Sequence, residues 1–148
     1  MNISRTTMNL LIKSGWNEDR NIDISEYEKA LNKDGYYINS TIRKFLKEFG
    51  GLLVYHPHAK LKNEIDFFHF NPIESINSIF KERIESYEDR INEKLTVIGE
   101  AYSNHMALIM SESGKIYAGY DDLLLLIGND YSKALETLCE GKETIRIN

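Results

Sequence analysis

The chain has 148 residues, 42% hydrophobic and 28% charged, with a net charge of −5; that length suits one soluble domain able to bury a core without staples. Its single cysteine, Cys139, excludes an intramolecular disulfide and suits a reducing compartment. The N-terminus shows no signal-peptide pattern and the longest apolar run, 123–127, falls far short of the roughly 20 residues a membrane helix needs, so a soluble cytoplasmic protein is expected.

The first half reads as helical. Residues 7–14 place Met8, Leu11 and Ile12 on one face, and Gly15-Trp16 ends that helix. Ser25 with Glu28 three residues on has the form of a capping box, followed by a stripe of Tyr27, Ala30 and Leu31. Ile42, Phe45, Leu46 and Phe49 follow the spacing of a buried helical face, and Gly50-Gly51 closes it.

The period then changes. Residues 52–55 and 65–70 are rich in β-branched and aromatic residues, as strands are. Asn71, Pro72 and Glu74 mark a helix start. One helix is predicted from there to about Asn92, with Ile73, Ile76, Phe80, Ile84, Tyr87 and Ile91 on its stripe. Three strands follow, 96–101, 106–110 and 116–120, the last two joined by a polar, glycine-bearing turn at 111–115. A final helix starts at Asp130, turns Tyr131, Ala134, Leu135 and Leu138 inward, and stops at Gly141. This order predicts a single α+β domain over 1–148, its mostly antiparallel sheet packed with helices.

Candidate chemistry is sparse. His56, Pro57 and His58 form an HxH pair, and His69 lies on the next strand. The proline argues against a continuous strand, and a full ligand set for zinc is not evident. Cys139 reads as a small buried hydrophobe near a helix end. No GxSxG, HExxH, CxxC, P-loop or GxGxxG pattern occurs. Neither a catalytic centre nor a cofactor is therefore expected.

Charge is more informative. Residues 1–92 carry 14 acids against 13 bases, and residues 93–148 carry 9 against 5. A negative C-terminal part disfavours direct nucleic-acid binding and favours a basic partner. Glu112, Asp121, Asp122 and Asp130 fall at the ends of the late strands, and Glu100 lies in the 96–101 strand. Acids of this kind most often sit on solvated turns. Beside the aromatic side chains of Tyr117 and Tyr120, taken as exposed, they form a candidate contact patch for a basic protein.

A family likeness rests on an ordered set of short motifs. These are Gly15-Trp16, Phe49-Gly50-Gly51-Leu52, Ile98-Gly99-Glu100, and Ser113-Gly114-Lys115-Ile116-Tyr117 followed by Asp121-Asp122. Gly128, Ala134-Leu135 and Gly141 complete it. Together they resemble the third subgroup of the SUKH superfamily over nearly the whole chain. The resemblance implies an α+β fold and an immunity role: binding and neutralising the C-terminal domain, often a nuclease, of a secreted toxin inside the producing bacterium. It supplies no catalytic motif and no fixed partner-binding residues. Segment 56–63 departs from the pattern and reads equally as strand or loop.

Two other readings stand beside immunity. One is a regulatory or scaffolding module on the same fold. The other is a metal-dependent enzyme using His56, His58 and His69 with nearby carboxylates. The oligomeric state is open.

Overall fold

A computed structural model describes residues 1–148. Its helices are α1 (Arg5–Lys13), α2 (Ser25–Lys33), α3 (Ser40–Phe49), α4 (Pro72–Ser78), α5 (Lys81–Ile91) and α6 (Tyr131–Glu140). Its strands are β1 (Leu53–Pro57), β2 (Ile65–His69), β3 (Leu95–Ala101), β4 (Met106–Ser111), β5 (Ile116–Tyr120), β6 (Leu123–Gly128) and β7 (Ile145–Arg146). The strands form one antiparallel sheet in chain order. The fold is α+β, as expected.

Local chemistry explains most boundaries. Ser4 caps α1, its hydroxyl accepting the Thr7 amide at 3.1 Å. Gly15, at φ +109, then closes that helix while the Trp16 amide returns to the Leu11 carbonyl. The Asn71 side chain accepts the Ile73 amide at 3.0 Å with Pro72 in the first turn of α4. Asp130 caps α6 by accepting the Lys133 amide at 2.9 Å. Ser25 departs from the expected capping box. It is already the first residue of α2, and its amide and hydroxyl both donate to Asp23.

Helices cover both faces of the central strands. Ala107 of β4 pairs with Gly119 of β5, and the Tyr87 ring of α5 lies directly over Gly119. Met110, of opposite parity to Ala107 along β4, faces the other way, beside Phe45 and Tyr131. Every residue of β3 and β4 is consequently buried, and these strands are mainly apolar, with Thr96, Glu100 and Ser111 as buried polar exceptions, rather than alternating. On the second face α6 packs on both β6 and β1, with α1 against it. The core there centres on Phe45, Phe49, Phe70 and Tyr131, with ring centroids 5.0 Å apart for Phe45–Phe49 and Phe45–Phe70 and 5.4 Å for Phe49–Tyr131.

Three elements differ from the sequence expectation. The single helix predicted from 72 to 92 is two: Ile79 takes an extended conformation and the chain turns there. The 123–127 run is β6, joined to β5 by the two-residue turn Asp121-Asp122, with Asp121 at φ 48. A short β7 pairs with β6 at the edge. Segment 56–63 resolves as strand through Pro57 and loop beyond it; a proline is tolerated because β1 is an edge strand.

Candidate partner-binding surface

The acids and tyrosines singled out in the sequence do not form one patch. Successive antiparallel strands return their connections to alternate ends of the sheet. Glu112, after β4, and Asp130, after β6, lie at one end, while Tyr120, Asp121 and Asp122 lie at the other. The length of β5, about 15 Å at the rise of a strand, separates them. Two residues are also not surface groups. Tyr117 is only 3% exposed, because its place on β5 points it under the helical layer, and burial pushes its phenol pKa up. Glu100 is 7% exposed, since both faces of β3 are covered.

The acids left at the surface differ in what they are free to do. The Asp130 carboxylate is committed to capping α6. Glu112 shares a corner with Glu88 and Asp89 of α5 and with Glu93 beyond it, around Lys94, an acidic cluster that strand-end reasoning missed. Two of those acids are used internally: Glu88 accepts the Leu95 amide at 2.8 Å and Glu93 the Ser113 amide at 3.1 Å. Asp122 pairs with Arg83 at 3.0 Å, and its carbonyl accepts from Arg90 at 2.8 Å. Asp121 spends only its carbonyl, which accepts the Tyr87 hydroxyl at 2.6 Å.

At this end the structure builds a groove of about 480 Å³ between the α4–α5 corner and the β5–β6 turn. Glu100, Ala107 and Gly119 line its sheet side, and Tyr120 and Asp121 line the turn side. On the helical side stands Phe80, 83% exposed, with Tyr120 at 59%. Periodicity places Phe80 on the buried stripe. The break at Ile79 rotates it out, and no capping residue signals that break, since Phe80 itself occupies the cap of α5 without a side-chain bond. Two large aromatic groups thus flank a concavity with carboxylates at hand, the composition of a protein-docking site.

Next to the groove lies a histidine–carboxylate cluster. His69 Nε2 sits 3.0 Å from both Glu100 Oε1 and Glu74 Oε2, and the three ligand atoms fall within 4.8 Å of one another. His56 and His58 are elsewhere. His56 is buried against Phe68 with Nδ1 at the Pro57 carbonyl, and His58 Nδ1 accepts the Lys60 and Leu61 amides. The grouping of His56, His58 and His69 is therefore corrected: β1 turns its even-numbered residues to the core, whereas His69 faces the α4 side.

The His69 ring also argues against metal ligation. Its Nδ1 accepts the Asn71 amide at 3.0 Å, so the ring proton resides on Nε2, the nitrogen a metal would need. Metal-bound histidines show the opposite arrangement, the remote nitrogen donating to a carbonyl or carboxylate. The cluster instead ties β2 to β3 by donating from Nε2 to Glu100, with the Glu74 carboxylate of α4 3.0 Å from the same nitrogen.

No serine or cysteine shares a hydrogen bond with a histidine ring. Cys139 is buried, and desolvation pushes its thiol up to about 12. At pH 8 the folded protein is therefore expected to resist iodoacetamide for hours, while denatured protein alkylates at the rate of a free thiol. The shift also ties stability to pH. The unfolded chain loses this proton near pH 9 and the folded chain near 12. Stability is thus lost as pH rises across that interval, to which burial of Tyr36 and Tyr102 adds in the same direction.

No helix is long and apolar enough to cross a membrane. Neither the curated proteins nor the solved structures contain a match to this chain. A family profile does: SUKH-3 immunity protein, over residues 3–141 of the 148. The match takes in α1 through α6, the sheet from β1 to β6 and the whole of the aromatic-flanked groove, and on it the chain belongs to the SUKH-3 immunity protein family.

Proposed function

We propose that the chain neutralises a toxin domain, a nuclease, in the cytoplasm of the producing cell, by seating a cationic part of that domain in the Phe80–Tyr120 groove. The observation that carries this reading is the pair of exposed aromatic side chains across a concavity whose lining also includes Glu100 and Asp121. A nuclease must present a basic surface to hold phosphates. A chain of net charge −5 is drawn to that surface, and aromatic anchors then hold the complex by desolvated packing. Glu112 and Asp130, at the far end of the sheet, contribute to the long-range field rather than to the contact. Function here is occlusion, not turnover.

Electrostatic capture makes a kinetic prediction. The association rate with the cognate toxin domain should fall by about tenfold or more between low salt and roughly 0.5 M, with a much smaller change in the dissociation rate. Stopped-flow mixing measures both. An association rate indifferent to salt removes the steering argument. Failure of the co-expressed chain to rescue growth against its neighbouring toxin gene defeats the reading as a whole.

A further inference from the structure

A second concavity, of about 650 Å³, opens between the β1–β2 loop, the start of β2, the β3–β4 turn and the segment after α6. Tyr102, Met106 and Leu125 supply apolar wall, and Asp66 supplies a carboxylate. Asp66 is 4% exposed. Its Oδ1 accepts the Ser103 hydroxyl at 2.6 Å and the Phe67 amide at 2.8 Å. Its Oδ2 accepts no hydrogen bond, and no lysine, arginine or histidine nitrogen lies within 4.0 Å. The only fully enclosed side-chain polar atom without a partner is the Tyr36 hydroxyl, so Oδ2 keeps some access, and Asp66 is part of the lining of this cavity.

The carboxylate is held in place at a conformational cost. Tyr102, Ser103 and Asn104 all occupy the left-handed region, at φ 55, 56 and 67. Non-glycine residues rarely enter that region, and three in succession persist only where surrounding bonds fix them. Here the Ser103 amide donates to the Phe67 carbonyl at 3.1 Å while its hydroxyl holds Asp66. A mostly withdrawn carboxylate, unpaired with any cation and lining a partly apolar cavity, calls for a positive group that brings its own methylenes. Lys60, Lys142, His58 and His105 belong to the same lining, but none brings a nitrogen within 4.0 Å of the Asp66 carboxylate, Lys142 lies 3.8 Å from Glu136, and an anion entering here would meet both Asp66 and Glu143.

We propose that this cavity binds a guanidinium or alkylammonium group on an aliphatic stem, with Asp66 as its counter-ion. The source is either a free small cation or an arginine or lysine side chain of a partner protein. Amide chemical shifts of the full chain titrated with agmatine, with Nα-acetyl-arginine methylamide and with neutral n-butylurea decide the matter.

Both cations are expected to shift Ser103, Met106 and Leu125 saturably, with dissociation constants on the order of 1 mM, as ligands this small allow; butylurea is expected to leave them unmoved. Agmatine binding about tenfold tighter than the blocked arginine assigns a free small cation; equal or weaker agmatine binding assigns a side chain. Asp66→Asn should weaken both cations by about tenfold or more. Leu125→Trp, which fills the cavity from a half-exposed wall and spares the carboxylate, should abolish both and serves if the first variant does not fold. Absence of saturable shifts with either cation, equal binding of butylurea, or retention of binding in these variants overturns the proposal.

Discussion

Gly99→Ala is expected to destabilise the protein by at least about 3 kcal/mol, enough to abolish most soluble expression of a domain of ordinary stability. A methyl group at this position would overlap the His69 carbonyl oxygen and stand 2.9 Å from the Phe70 Cα. Both are backbone atoms, so no rotamer change relieves the clash. The site is also where the sheet is thinnest. His69↔Glu100 is the single register pair joining β2 to β3, and a bulge between Val97 and Gly99 already distorts the strand there. The Gly99 carbonyl further receives the Ser75 hydroxyl, which helps seat α4. Separating the strands therefore loosens the His69–Glu74–Glu100 tie and one side of the groove together. Urea unfolding followed by circular dichroism measures the loss, and a midpoint within about 0.3 kcal/mol equivalent of the parent would contradict this packing.

The second large effect concerns binding. Phe80→Ala and Tyr120→Ala are each expected to weaken the complex with the cognate toxin domain by about 2 kcal/mol or more, roughly thirtyfold in Kd. Both side chains are mostly solvent-exposed in the free protein, so truncation should leave the unfolding midpoint within about 0.5 kcal/mol of the parent. That separation makes the result interpretable: lost affinity at unchanged stability places the partner on the groove. Tyr117→Phe provides the contrast. Tyr117 is buried and is expected to leave affinity unaltered. If both groove truncations bind as the parent does, the contact surface lies elsewhere on the molecule.

Local order was largely legible in the sequence because its determinants are local. The stripe Ile42, Phe45, Leu46 and Phe49 buries as its spacing says, and all four residues are core. Asn71-Pro72 and Asp130 start helices because an unpaired backbone amide needs an acceptor nearby, whatever the rest of the fold does. The turn at 111–115 follows similarly from short-range chemistry.

What failed did so where the deciding atoms lie far apart in the chain. The Ile73-to-Ile91 stripe has uninterrupted helical spacing, yet the chain breaks at Ile79, and Phe80 becomes the most exposed large apolar side chain instead of a core residue. The β6 run has no period-2 alternation to mark it as a strand; pairing with β5 across the Asp121-Asp122 turn makes it one. Tyr117 and Glu100 look like surface groups in isolation and are buried because helices cover both sides of the sheet.

The sequence by itself determined the α+β class, the caps at Asn71 and Asp130, most of the strands and the net negative charge, since each can be read from composition or from residues within a few positions of one another. The tertiary structure alone decided which acids are free and which are spent on caps and ion pairs. It also set Phe80 opposite Tyr120 and left Asp66 facing a cavity without a counter-ion. The physical reason is that a side chain's surroundings are made by elements distant in the chain, whose approach is set by the packing of the whole core.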